Sequence, residues 1–216
     1  IIRTHLMRPT WHLVAAEDLN WMTGLTAPNV LRQLRSIHKQ RGFDKETFIK
    51  ARKTFEVVLQ KGEASRNTLK IAIEDAGIST KDNGLAHMLM EAELQGMICS
   101  GSGQNYDLTE RRVTTSKDIK GDEALAELAK RYFQSHGPAT ERDFAWWSGF
   151  GLTPVRKAIA DLGNHIYSEK IKNQIFYWSG EVSPSDKQSH LFALPAFDEY
   201  YLAYADRSFL IQDDFE

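Results

Sequence analysis

The sequence predicts a mainly α fold with small β-hairpin wings, an α+β arrangement of tandem winged-helix (helix-turn-helix) units. Three observations carry that prediction. A helix–Gly–turn–helix phrase is written twice, each copy leads into a further helix, and each series closes on two short β-prone segments joined by a turn. The first copy is Val58-Leu59-Gln60-Lys61-Gly62-Glu63-Ala64-Ser65-Arg66-Asn67-Thr68-Leu69, and the second is Phe133-Gln134-Ser135-His136-Gly137-Pro138-Ala139-Thr140-Glu141-Arg142-Asp143-Phe144. In both, an apolar-periodic helix runs into Gly, which ends a helix at little cost because it tolerates positive φ. Ser65 or Thr140 then opens the next helix, its hydroxyl placed to accept from the first free amides. Thr140 with Asp143 has the spacing of a capping box, with Asp where Glu or Gln is usual.

After the first copy, a short helix is predicted to end near Gly77 and a third to run from about Asp82 to Gln95. Met97 to Ser100 then pairs with Tyr106 to Leu108 across a Gly-Ser-Gly turn. After the second copy, a helix ends at Gly149, another spans Pro154 to Leu162, and Ile166 to Ile171 pairs with Ile175 to Trp178 across Lys172-Asn173-Gln174. The N-terminal stretch Ile1 to Val14 reads as a further strand pair, with Pro9 at an edge or turn. Such a ribbon resembles the wing of another unit, so the chain is expected to be a fragment whose first domain lies upstream. The expected organisation is 1–42 as wing and connecting helix of an incomplete first winged helix, 43–117 as the second and 118–182 as the third, with 183–216 as a docking segment and acidic tail.

A third self-similarity joins Asp18-Leu19-Asn20-Trp21-Met22-Thr23-Gly24 to Asp143-Phe144-Ala145-Trp146-Trp147-Ser148-Gly149 without gaps, and continues with Val30 on Val155, Arg32 on Lys157 and Leu34 on Ile159. Its aromatic residues are most simply core, because Trp and Phe bury large apolar areas. The 216 residues give room for two small domains but not for one large enzyme fold. No uninterrupted apolar run approaches the length of a membrane span, and no secretory signal opens the chain. Cys99 is the single cysteine, which excludes an internal disulfide and a cysteine-rich zinc site and reads as a buried strand residue. A reducing, bacterial-type cytoplasm suits this usage, and a cytoplasmic location is expected. No metal is expected, since no carboxylate-rich or His-x-x-x-His spacing occurs, and no cofactor is expected.

The net charge of −2 conceals an asymmetry. Residues 31–70 hold eleven Lys or Arg against four Asp or Glu, whereas 194–216 hold one Arg against six acidic residues. A basic binding face with an acidic far end produces that distribution, although a solvated helix face also does. Arg32 and Arg35 lie in the basic stretch. In a winged helix the third helix enters the major groove, and there the second unit offers Lys81, Asn83 and His87, the third unit Thr153, Arg156 and Lys157. The wings add Gln104 and Asn105, then Lys170, Lys172 and Asn173. At the N-terminus, strand alternation puts Arg8, Thr10 and His12 on one face and Arg3 with His5 on the other, a cationic cluster able to meet a phosphate. Asp198 and Arg207 read as members of a structural ion pair or as site residues, set among Phe197, Tyr200, Tyr201 and Tyr204, which pack the C-terminus onto the third unit.

Leu6-Met7-Arg8-Pro9-Thr10-Trp11-His12-Leu13-Val14, Ile98-Cys99-Ser100-Gly101, Ala126-Glu127-Leu128-Ala129-Lys130-Arg131-Tyr132-Phe133, Ser135-His136-Gly137-Pro138-Ala139-Thr140, Asp143 to Gly149 and Leu194-Pro195-Ala196-Phe197-Asp198-Glu199-Tyr200 together resemble one family. It is the bacterial winged helix DNA-binding domain family, which includes DNA glycosylases acting on alkylated and crosslinked bases. The resemblance runs from the first residue to about Arg207 and implies three tandem winged helices curved around DNA. Glycosylase members carry Gln-x-Gln or Gln-x-Asp in the first winged helix. No such motif stands at a corresponding place here; Gln212-Asp213-Asp214 matches by letter only, in the acidic tail. The expected function is therefore DNA binding in repair, with double-stranded DNA, intact or damaged, as partner and no membrane. The alternatives are a glycosylase whose catalytic motif lies upstream, and a winged-helix scaffold for protein contacts.

Overall fold

The computed structural model describes residues 1–181, 194–196 and 198–208, in two compact units, Ile1–Lys120 and Gly121–Glu216. In the first unit, β1 (Ile2–His5) pairs antiparallel with β2 (Trp11–Val14), and α1 (Ala16–Gln40) follows. Then come α2 (Lys45–Leu59), α3 (Arg66–Asp75), α4 (Gly84–Leu94), the hairpin β3 (Ile98–Ser100) and β4 (Tyr106–Leu108), and the single turn α5 (Thr109–Arg112). The caps explain the breaks. The Asp44 side chain accepts from the Thr47 amide at 2.8 Å at the start of α2, and the Ser65 hydroxyl accepts from the Thr68 amide at 3.1 Å at the start of α3. Gly62, at φ +135°, makes the turn between them. Apolar faces of α2, α3 and α4 meet β3 and β4 around Phe55, Leu59, Leu69, Ile73, Met88 and Ile98.

The second unit repeats the plan. α6 (Gly121–Ser135), β5 (Ala139–Thr140), α7 (Glu141–Ser148) and α8 (Leu152–Asp161) lead to the hairpin β6 (Tyr167–Ile171) and β7 (Gln174–Trp178), with α9 (Glu199–Leu202) further on. Thr140 and Asp143 form the capping box that the sequence implies. In both units the turn after the first helix of the repeat joins the wing. Ala64 bridges Tyr106 in the first unit, and Ala139 and Thr140 pair with Tyr177 and Phe176 in the second. The fold is α+β and winged-helix-like. The segment 198–207 docks on the second unit: the Tyr132 hydroxyl donates to the Ala203 carbonyl at 3.0 Å, and Asp143 accepts from the Ala205 amide at 2.9 Å.

Several expectations change in the structure. Residues 1–42 lie in the same compact unit as 43–117, because α1 packs Ala27, Val30 and Leu34 against Met90 and Leu94 of α4. The helix that matches Asp143–Gly149 does not stop at the aligned glycine. α7 ends at Gly149, φ +74°, whereas α1 continues through Gly24 and Pro28 to Gln40. Trp21 is 4% exposed while its counterpart Trp146 is 56% exposed, so the shared letters serve different packing. Residues 7–10 form a bend, which breaks the alternation expected for Arg8, Thr10 and His12. Opposite residues of an antiparallel pair share a face, so Thr4 opposite His12 and His5 opposite Trp11 set the faces instead. The acidic Gln212-Asp213-Asp214 lies outside the described residues.

Candidate nucleic-acid interface

α8 is amphipathic in the manner a groove-facing helix requires. Val155, Ala158 and Ile159 are buried, while Thr153, Arg156 and Lys157 are exposed. Arg156 reaches across to Glu141 with two bonds of 2.9 and 2.6 Å, which hold the Glu141 carboxyl below its ordinary pKa and raise that of Arg156. Lys157 pairs with Asp122. These exposed pairs are weak in water. β6 is exposed along its length, carrying Lys170, and Lys172 sits at the hairpin tip at φ +55°. Between the wing and the start of α7 lies an open groove of about 610 Å³ lined by Thr140, Arg142, Arg156, Asn173 and Tyr177 among others. The second unit thus gathers Thr153, Arg156, Lys157, Lys170 and Lys172, together with Arg142, which the sequence reading did not single out.

The first unit distributes its candidates differently. α4 is the helix that the sequence assigns to the groove, yet every residue in it but Ala86 is buried, His87, Glu91 and Glu93 included. His87 is the correction that follows. It is 8% exposed, its ring stands edge-on to His38 at 5.2 Å, and burial lowers its pKa, so it packs rather than meeting a groove. Lys81 and Asn83 are exposed in the turn before α4, with Asn83 at φ +64°. Gln104 is exposed at the first wing's turn, and Asn105 is half-buried with its backbone bonded to Gly101 and Ser102. Arg35 is exposed on α1, and Arg32 donates to Asn29 at 2.9 Å.

Arg3 lays its guanidinium on the Trp11 ring at 4.3 Å, and His5 pairs with the carboxylate of Glu93. Thr10 is exposed and Arg8 half-buried in the bend, while His12 Nδ1 lies 3.0 Å from the Thr10 carbonyl. Asp198 and Arg207 take separate partners: Asp198 caps α9 through the Tyr200 amide at 2.9 Å, and Arg207 stacks on Tyr201 at 4.5 Å. Cys99 lies in β3 at 0% exposure, and burial pushes its thiol up to about 11, so it is no nucleophile. Glu93 and Trp11 are the functional candidates the sequence reading passed over. Trp11 was legible as an aromatic beside cations, whereas Glu93 acquires its partner only through the fold.

The profile of the family described as "DNA glycosylase AlkZ-like" matches residues 1–216. The chain belongs to this family. Among solved structures, the DNA glycosylase AlkZ of Streptomyces sahachiroi is similar to it with a TM-score of 0.66 at 18% sequence identity, over 82% of this chain and 52% of that one. The chain therefore spans about half the length of the AlkZ chain it matches, and at this identity the likeness establishes the fold. No curated protein sequence matches. Membership of the AlkZ-like family places the chain in a DNA-repair glycosylase-related family and favours the glycosylase reading over the non-catalytic DNA-binding protein expected first. No described helix is long and apolar enough to cross a membrane.

Proposed function

We propose that this chain serves a DNA repair glycosylase in which it holds double-stranded, damaged DNA while the bond between an altered base and its deoxyribose is hydrolysed, in the cytoplasm. The observation that carries the reading is the AlkZ-like family match along residues 1–216. The chemistry expected of such an enzyme is extrusion of the base, cleavage of the glycosidic bond and addition of water at the sugar. The part that suits this chain's own residues is backbone holding. Arg156, Lys157, Lys170 and Lys172 of the second unit and Arg35 and Lys81 of the first are exposed cations on helix, turn or wing. They would fix register through phosphates without reading sequence. Thr153, Asn83 and Gln104 add neutral donors beside them.

A second reading, DNA binding without chemistry, rests on the same exposed cations of helix, turn and wing, which hold a backbone without any catalytic group. One experiment separates the two. The protein is incubated with duplexes containing 7-methylguanine or an interstrand crosslink, and released base and abasic sites are quantified. Release supports the glycosylase; salt-sensitive binding without release from either substrate leaves the binding protein; neither binding nor release refutes both. Within the binding experiment, Arg156→Gln is expected to weaken affinity across sequences and reduce the salt slope by about one. An unchanged slope removes Arg156 from the interface.

A further inference from the structure

We propose that the face of the β1–β2 hairpin formed by Arg3, His5 and Trp11, backed by buried Glu93, binds one nucleotide displaced from a DNA stack, its base on Trp11 and its phosphate on Arg3 and His5. The proposal rests on the DNA-binding reading above and names a site within it.

The register creates the face. Arg3 lies opposite Leu13 and His5 opposite Trp11, whereas Ile2, Thr4 and Val14 of the other face are buried in the core. Trp11 stands on the outer face of the ribbon, 51% exposed. Arg3 stacks on the indole at 4.3 Å and the His5 ring lies 5.8 Å from it, so a cation and an imidazole stand beside an aromatic surface that is half open. That is the composition of a nucleotide site: a π-face for any base, with donors for its phosphate.

Glu93 supplies the independent observation. Its side chain is 1% exposed, and a buried carboxylate is costly unless fully paired. It accepts from the His5 amide at 3.2 Å and from His5 Nδ1 through Oε2, and its Oε1 has no hydrogen-bond partner. A carboxylate on Nδ1 fixes the ring and leaves Nε2 as the ring nitrogen turned away from Glu93. Arg3 Nε is likewise buried without a hydrogen-bond partner, and its main-chain amide is anchored on the Ser100 hydroxyl at 2.9 Å. Arg3 lies directly on the exposed indole, and Glu93 holds the His5 ring beside it. Glu93 is a positioning residue here, acting through His5.

The test uses the whole chain and two fluorescent duplexes, one fully paired and one with a single bulged nucleotide. The wild type is expected to prefer the bulged duplex, and Trp11→Ala to lose about tenfold on that probe and little on the paired one. Arg3→Gln is expected to lower the salt slope by about one, and His5→Gln to weaken binding of the bulged probe. His5→Gln is expected to add nothing in a Glu93→Gln background, because Glu93 acts through the imidazole. Thermal midpoints accompany every variant. If Glu93→Gln fails to fold, the surface changes Trp11→Ala and Arg3→Gln decide. A wild type without preference for the bulge, or a folded Trp11→Ala that keeps it, overturns the site while the DNA-binding reading stands. A wild type with no affinity for either duplex at low salt removes both.

Discussion

Replacing Asp143 with Ala should release the C-terminal segment and the start of α7 together. Its carboxylate is 1% exposed and receives four bonds: the Thr140 amide at 2.8 Å and hydroxyl at 2.7 Å on one oxygen, the Ala205 amide at 2.9 Å and the Asp206 amide at 3.3 Å on the other. Loss of the cap costs about 1 kcal/mol. Loss of the charge-assisted bond to Ala205 costs roughly 1.5–3 kcal/mol, and the longer Asp206 contact adds little. The sum, about 3 kcal/mol, lowers the midpoint of a unit of this size by roughly 12–24 °C. Calorimetry gives the midpoint, and hydrogen exchange at Ala205 reports whether the segment has let go. Thr140→Ala removes the cap alone and should cost about 1 kcal/mol. The double variant should be little worse than Asp143→Ala, since the two side chains serve each other. A fall of under about 4 °C for Asp143→Ala, or unchanged exchange at Ala205, refutes the view that this carboxylate ties residues 205–206 to α7.

Further outcomes follow from local geometry. A Cβ at Gly137 would lie 2.3 Å from the Phe133 carbonyl oxygen and 2.8 Å from Trp178 Cβ, neither of which can swing aside, so Gly137→Ala should destabilise the second unit by roughly 1–3 kcal/mol in a denaturant titration. Gly24→Ala meets nothing within 4 Å inside a helix and should stabilise the first unit by up to about 1 kcal/mol; a loss there would contradict the open surface around it. His38 is held down to about 4 from 6.5, first by burial, then by His87 and Arg41. The folded state thus keeps it neutral, and protonation favours unfolding. Its contribution is complete above the free value and is lost as pH falls from about 6.5 through about 4, so urea midpoints of the first unit should drop across that window and His38→Leu should flatten the drop. Cys99 should react with a thiol reagent only as fast as the first unit opens, and rapid labelling in native buffer would contradict its burial.

Much of the local structure was readable in the chain. The Ser65 and Thr140 caps, the stop at Gly149 and both wing hairpins depend on neighbours a few residues away, and such contacts are written in spacing. The placement of side chains around the site was less readable. Glu93 lies 88 residues from His5, and Asp143 lies 62 from Ala205, so no periodicity could pair them. α4 had the right position for a groove-reading helix, but α1 packs on it and buries His87, a consequence of how the first forty residues fold back. Likewise, Asp18–Gly24 and Asp143–Gly149 share letters and part in structure, because helix termination at a glycine depends on what the following residues pack against. Helix ends, turns and wings come from short-range hydrogen bonding and backbone preference, which a window of about a dozen residues contains. Which helix is buried, which carboxylate meets which histidine and which tryptophan stays open are decided by contacts between distant segments, and those exist only once the chain has closed on itself.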